Sequence, residues 1–205
     1  MTDEALRAYR HARVAELGQR AKEARPGQTT YDQIFFCTIY YTPKESGFTA
    51  KRGFDITPVK ARGLGKHKYP RDFLRAVRKE GFGRLITPVE GHEYIRYAGH
   101  GRYAFAEAPL DRDGDVLIPR RSCAISRHNR FLRQNDRLII SSPVIASQIG
   151  NDKWMVTDTG GGVHRLQIDL YWGEDEPRGA VGRQRARPAG TWMEYAFQIR
   201  VTVER

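Results

Sequence analysis

Asp169 stands in the middle of Leu166-Gln167-Ile168-Asp169-Leu170-Tyr171-Trp172, a run that otherwise has the composition of a β-strand. A short carboxylate fits a half-buried pleated surface poorly. Eleven residues earlier, Asp158 follows Lys153-Trp154-Met155-Val156-Thr157 and opens Asp158-Thr159-Gly160-Gly161-Gly162. Two acids brought to one end of a sheet are equipment for acid–base work: one hands a proton to a leaving oxygen, and the charge of the other holds that proton to higher pH. Gly160, Gly161 and Gly162 permit a tight turn and leave backbone N–H groups able to meet an anion or a carbonyl. With period-two alternation, Leu166, Ile168, Leu170 and Trp172 point to one side, so Asp169 shares the other with Gln167 and Tyr171. The residue types alone leave a structural use open, because Asp-Thr-Gly makes a capped turn and a strand Asp protects a sheet edge.

The elements that must carry these residues are mostly strands. Ile34 to Tyr41 is β-branched and aromatic and is followed by Pro43 and Gly47, which predicts a buried strand and a turn. Leu138-Ile139-Ile140, Trp154-Met155-Val156 and Leu166 to Trp172 are short and separated by turn formers. Tyr195, Phe197, Ile199, Val201 and Val203 alternate with smaller or polar residues, which predicts a closing strand with one apolar face. This pattern favours a small β barrel or sandwich over alternating βαβ units. Two helices are expected: an amphipathic arm over residues 3–25, stopped by Pro26-Gly27, and a helix within 70–81, opened by Pro70 and closed by Gly81. Residues 179–190, with Arg183, Arg185 and Arg187, read as a basic loop.

A chain of 205 residues, 40% of them hydrophobic, supports one sizeable core with an insertion. Its formal charge of +11 calls for an anionic partner: nucleic acid, a membrane surface or a cell-wall polymer. Cys37 and Cys123 lie in apolar runs without metal spacing and are expected as buried free thiols. The first residues contain no apolar signal core, and no run approaches the ~20 apolar residues of a membrane span, so neither an export signal nor a span is expected. Asp111-Arg112-Asp113-Gly114-Asp115 resembles the start of a calcium loop, but Val116 stands where the loop needs glycine and Ser122 where it needs Glu, so a tight turn is expected. The histidines are scattered, His164 is expected in a solvent-facing turn, and no metal or cofactor is expected.

The stretch from Asp158 to Gly173, with DTGGG and an apolar-Asp-Leu-Tyr core, resembles the three-aspartate (3D) domain shared with the membrane-bound lytic transglycosylase A family. Tyr40-Tyr41-Thr42-Pro43 followed by Gly47-Phe48-Thr49-Ala50-Lys51-Arg52-Gly53 resembles the opening of the same domain. The resemblance implies a mainly β fold, a double-psi β barrel, over residues 31–205 with an insertion at about 54–121; the helical arm read from the residue pattern takes up 1–30. It also implies a peptidoglycan lytic transglycosylase of the cell envelope or periplasm, cleaving between N-acetylmuramic acid and N-acetylglucosamine to leave a 1,6-anhydro end. Asp169 matches the acid/base and Asp158 its supporting aspartate. Tyr41, Thr42, Thr49, Gly160, Gly161, Gly162, Gln167 and Tyr171 are then expected to bind substrate. Tyr40, Tyr41 and Trp172 have a second use as core aromatics.

The chemistry needs only one carboxyl that acts twice. Asp169 would protonate the glycosidic oxygen and then, as carboxylate, take the proton of the muramic acid's own 6-hydroxyl, whose tethering replaces an external nucleophile. Such an acid needs a pKa above the usual carboxylate range, which partial burial and the Asp158 charge would favour. The third aspartate of the family has no counterpart: after Cys123-Ala124-Ile125 this chain has Ser126 and Arg127. That departure keeps a non-catalytic wall-binding module of the same fold in view, and the net charge keeps a nucleic-acid binder in view.

Overall fold

Short apolar runs broken by turn formers fold here as strands. The computed structural model describes residues 30–32, 35–49, 54–141, 150, 152–174, 192–194 and 200–204. Among them the strands are β1 (Thr30–Asp32), β2 (Phe36–Tyr40), β3 (Pro58–Lys60), β4 (Lys68–Pro70), β5 (Phe82–Val89), β6 (His92–Gly99) and β7 (Arg102–Ala106). They continue with β8 (Ser122–Ser126), β9 (Arg137–Ser141), β10 (Lys153–Gly160), β11 (Gln167–Tyr171), β12 (Trp192–Glu194) and β13 (Arg200–Glu204). A 3-10 turn covers Glu45–Phe48, and one α-helix, α1, covers Arg71–Glu80. The fold is mainly β, as the sequence predicts. The predicted arm at 3–25, the basic loop at 179–190 and residues 195–199 of the closing strand lie outside the described residues.

The chain divides into two compact units, one of residues 1–37, 121–169 and 194–205, the other of residues 38–120 and 170–193. The longest sheet runs β1-β13-β9-β10-β8-β11-β2-β12. Within it, β2 and β11 are where the chain passes from the first unit into the second.

In the first unit, β8 and β10 pair in parallel while β10 and β13 both pair antiparallel with β9. Val201 registers with Ile140 and Val203 with Leu138, and all four are at most 1% exposed. These cross-strand apolar contacts are the unit of sheet stabilisation. All five residues of β8 are buried, as expected for an interior strand covered on both faces. Cys37 and Cys123 are buried free thiols.

In the second unit, α1 forms where predicted. Pro70 is its N-cap residue and Gly81 its C-cap, with the Gly81 N–H donating to the Val77 carbonyl at 2.9 Å. Phe73, Leu74, Ala76 and Val77 are buried against Phe48, Leu64, Tyr69, Leu85 and Ile95, while Arg71, Arg75, Arg78 and Lys79 face solvent. The sheet β5-β6-β7 is antiparallel throughout. Asp111 makes a turn, as expected: its Oδ1 accepts the N–H groups of Asp113 and Asp115 at 3.0 and 2.9 Å. Among the described residues no group of acids, histidines and cysteines is arranged to hold a metal ion, and no helix is long and apolar enough to cross a membrane.

Candidate active site

Asp169 lies in β11, half-buried between Ile168 and Leu170, which are 0% and 1% exposed. The flanking apolar side chains anchor the strand, and Asp169 is the one residue of β11 that is not fully buried. Its negative charge reaches β8: the Cys123 thiol is pushed well above its usual range by burial first and by Asp169 second. Cys123 registers with Val156 on β10, and Asp158 registers with Ala124, the next residue of β8. The two carboxylates therefore belong to the same stretch of sheet with one strand between them, and strands next but one to each other lie about 9–10 Å apart.

Asp158 reaches solvent because β10 is irregular. The register slips between Val156 and Asp158, so Thr157 is an extra residue with no counterpart on β8. In an unbroken strand Asp158 would share the face of Val156, which is 0% exposed. The bulge re-aims it, the recurrent use of bulges near functional sites. Asp158 is half-buried, and its Oδ1 accepts the Thr159 N–H at 2.7 Å.

The turn between the two acids is built from its own residues. Gln167 Oε1 accepts the His164 N–H at 3.1 Å, and the Gln167 N–H donates to the His164 carbonyl at 2.9 Å. This reciprocal clasp fixes the entry to β11, and Gln167, 6% exposed, is buried in making it. Gly161 and Gly162 are exposed, as is His164. A Cβ on Gly160 would come within 2.3 Å of the Val163 Cγ2, so with Val163 in place the turn closes around a glycine. Gly160→Ala is expected to cost about 1–3 kcal/mol in urea denaturation. Val163→Ala in the same chain should return most of that loss.

Of the other predicted site residues, Tyr41, Thr42, Thr49 and Tyr171 belong to the second unit. Tyr41, Thr42 and Tyr171 are 3%, 2% and 1% exposed. The open polar face expected of Gln167, Asp169 and Tyr171 is thus reduced to Asp169 alone, because β11 is an interior strand covered on both sides. The Tyr171 hydroxyl and Thr42 Oγ1 share a hydrogen bond at 2.8 Å, and the Tyr171 ring packs on Tyr40 at 5.1 Å. Burial pushes the Tyr171 phenol up to about 12, which keeps it neutral across the physiological range. Backbone bonds from the Trp172 N–H to the Tyr40 carbonyl at 2.9 Å and from the Thr42 N–H to the Gly173 carbonyl at 2.8 Å complete the join. Tyr171→Phe leaves the Thr42 hydroxyl without this buried partner, and a loss of about 1–2 kcal/mol is expected on chemical denaturation. Thr49 is exposed at the end of the 3-10 turn, where its hydroxyl donates to the Ser46 carbonyl at 3.1 Å. Tyr40 and Trp172 take their core alternative, at 9% and 7% exposure.

Two sets of contacts carry no sequence signal, although Ser126 and Arg127 themselves are visible in the sequence as a departure from the family pattern. Arg127 brings its guanidinium to the Gly161 turn, its Nη2 3.5 Å from where a Cβ would stand. Ser126, beside it and 4% exposed, uses its hydroxyl to accept the His128 N–H at 3.2 Å. In the second unit, Glu174 binds both Arg84 and the Tyr94 hydroxyl, with Lys44 at 4.0 Å. This network pins the chain directly after Gly173, and the hydrogen bond to Glu174 raises the Arg84 pKa while burial, then Glu174, raises that of Tyr94.

No protein-family model and no curated protein matches the chain. Solved structures do. A membrane-bound lytic murein transglycosylase from Agrobacterium tumefaciens superposes with a TM-score of 0.51 at 17% identity, over 82% of this chain and 73% of its own. Escherichia coli MltA with bound chitohexaose gives 0.51 at 14% identity, over 83% and 71%. Another E. coli MltA structure, described as a unique lytic transglycosylase fold, gives 0.51 at 14% identity, over 89% and 74%. At such identities the likeness is one of architecture, and the chain has the fold of the MltA-type membrane-bound lytic transglycosylases.

Proposed function

We propose that this chain is a peptidoglycan lytic transglycosylase of the cell envelope that uses Asp169 as its single acid/base. The observation that carries the reading is a half-buried aspartate held between two fully buried residues, on the strand where the sequence resembles the family's catalytic motif. In the first step the Asp169 carboxylic acid gives its proton to the oxygen between N-acetylmuramic acid and N-acetylglucosamine, and the bond to the anomeric carbon breaks. In the second, the carboxylate removes the proton from the muramic 6-hydroxyl as that oxygen closes on the same carbon, so water is not consumed and the acid is regenerated. Asp158 supports the first step through its charge, which favours the protonated form of a nearby acid. The exposed backbone of Gly161 and Gly162 offers N–H groups to substrate carbonyls. Tyr41, Thr42, Gln167 and Tyr171 serve by holding β2, β11 and the turn in place, a role their burial supports better than direct substrate contact.

The test is digestion of purified sacculi followed by mass spectrometry of the soluble fragments. Products 18 Da lighter than hydrolytic muropeptides are expected; hydrolytic masses, or no release, would overturn the reading. One observation favours a second reading, a wall-binding module without catalysis: Ser126, where the resemblance would put the family's third aspartate, uses its hydroxyl to accept the His128 N–H in the local turn. That reading expects pelleting with sacculi and no release of fragments.

A further inference from the structure

The β5-β6-β7 sheet has two unlike faces. Ile95, Tyr103 and Phe105 belong to the face that packs on α1 and its core. On the opposite face, Arg96 registers with Ala104, and Arg102 lies two residues from Ala104 on the same strand. Cross-strand partners share a side, and so do residues two apart in a strand. Arg62 joins them through an isolated parallel bridge to Arg102, closed by the Tyr103 N–H donating to the Arg62 carbonyl at 2.8 Å. All three arginines are exposed.

Two guanidinium groups as direct cross-strand partners repel each other, and such pairs destabilise a sheet. The fold nonetheless goes to some length to make this one. Gly63, next to Arg62, has a φ of +101°, and a Cβ there would stand 2.1 Å from the Tyr103 carbonyl oxygen, so only glycine lets the loop approach β7 closely enough. Arg84, on the same face at the far end, shows the ordinary alternative: its charge is met by Glu174 and Glu93. Among the described residues Arg62, Arg96 and Arg102 have no such acid. Among the described residues this face has no exposed aromatic ring, since Phe82 is half-buried and Tyr94 is buried, whereas binding of single-stranded nucleic acid relies on stacking platforms.

We propose that Arg62, Arg96 and Arg102 form a docking surface for the carboxylate-bearing peptide stems of peptidoglycan, engaged separately from the glycan bond that is cut. Guanidinium groups match carboxylates through paired, charge-assisted hydrogen bonds, and a bound carboxylate relieves the repulsion between Arg62 and Arg102. The inference rests on the peptidoglycan reading of the preceding section and adds to it which part of the polymer this face meets.

The test compares the full chain with Arg62→Gln/Arg102→Gln and with Arg78→Gln/Lys79→Gln, which removes the same charge from α1. Pelleting with intact sacculi at about 50 mM salt, where screening is modest, should weaken about tenfold or more for the first pair and little for the second. Release of anhydro products from amidase-stripped, peptide-free glycan strands should be the same for all three proteins. Equal losses in both double variants, or undiminished pelleting of Arg62→Gln/Arg102→Gln, would overturn the proposal. Loss of binding to a duplex DNA 30-mer with sacculus binding intact would assign the surface to phosphate instead. Melting of Arg62→Gln/Arg102→Gln at or above the wild-type temperature checks the fold, since the change removes a repulsion. Failure of the wild type to release anhydro products from stripped strands would count against the cleavage reading alone, because pelleting decides the docking surface independently.

Discussion

Asp169→Asn should reduce release of anhydro-muropeptides from sacculi by about a thousandfold or more while leaving the melting temperature near that of the wild type. An amide has the shape of the carboxyl group but neither gives nor takes a proton at neutral pH, and the proposed cycle requires the same side chain to do both. General acid catalysis is worth about 10²–10⁴-fold, and here the acid and base roles fall on one atom set. The strand should tolerate the change because an amide of the same shape leaves its apolar anchors, Ile168 and Leu170, fully buried as before. Asp158→Asn is the informative companion. Its amide oxygen can still accept the Thr159 N–H while the negative charge is gone, so a smaller loss, about tenfold, is expected. An Asp169→Asn protein that still releases anhydro products would remove Asp169 from the reaction, and unimpaired pelleting of that variant with sacculi separates chemistry from binding.

The contrast between strand and bulge shows where the sequence was readable. β9, β10, β11 and α1 follow from local composition: apolar runs, turn formers between them, and Pro70 and Gly81 at the helix ends. Period two also correctly puts Ile168 and Leu170 inside, but it wrongly opens the opposite face, because alternation does not reveal that β11 is an interior strand with Gln167 and Tyr171 covered as well. The bulge at Thr157 has no local signature, yet it decides that Asp158 leaves the face of Val156. The β5-β6 hairpin went unread for a related reason. Its turn places Glu90 and Gly91 at φ of 54° and 87°, a geometry usually announced by Asn-Gly or Asp-Gly. Glu in the left-handed region is accepted because the flanking pairing of Val89 with His92 imposes it. Ser126 and Arg127 were visible as a departure from the three-aspartate pattern, but their surroundings, the His128 turn and the Gly161 backbone, come only from the register of Ser126 with Gly160.

Phe73→Ala is expected to have the largest effect on stability, about 3–5 kcal/mol. Phe73 is 0% exposed in the core of the second unit, with Phe48 at 5.8 Å and Tyr69 at 6.5 Å between ring centroids. Its ring edge also lies against the backbone of β5, where a Cβ on Gly83 would meet it at 2.8 Å, so the helix packs flush on the sheet and little can move in to fill the space. A close-packed interior that does not collapse pays both the lost apolar transfer and the cavity. Against a total of about 5–15 kcal/mol for a typical domain, such a loss leaves a substantial unfolded population when warm. Phe48→Ala removes the other side of the same contact, so the double variant should lose less than the sum of the two single losses. The activity consequence distinguishes this variant from Asp169→Asn. Anhydro release by Phe73→Ala should fall at 37 °C and recover on cooling toward 15 °C, in step with the folded fraction followed by circular dichroism, whereas Asp169→Asn should be inactive at both temperatures. A Phe73→Ala protein that is fully folded at both temperatures yet inactive would mean that α1 takes part in the reaction itself and does not merely support the sheet.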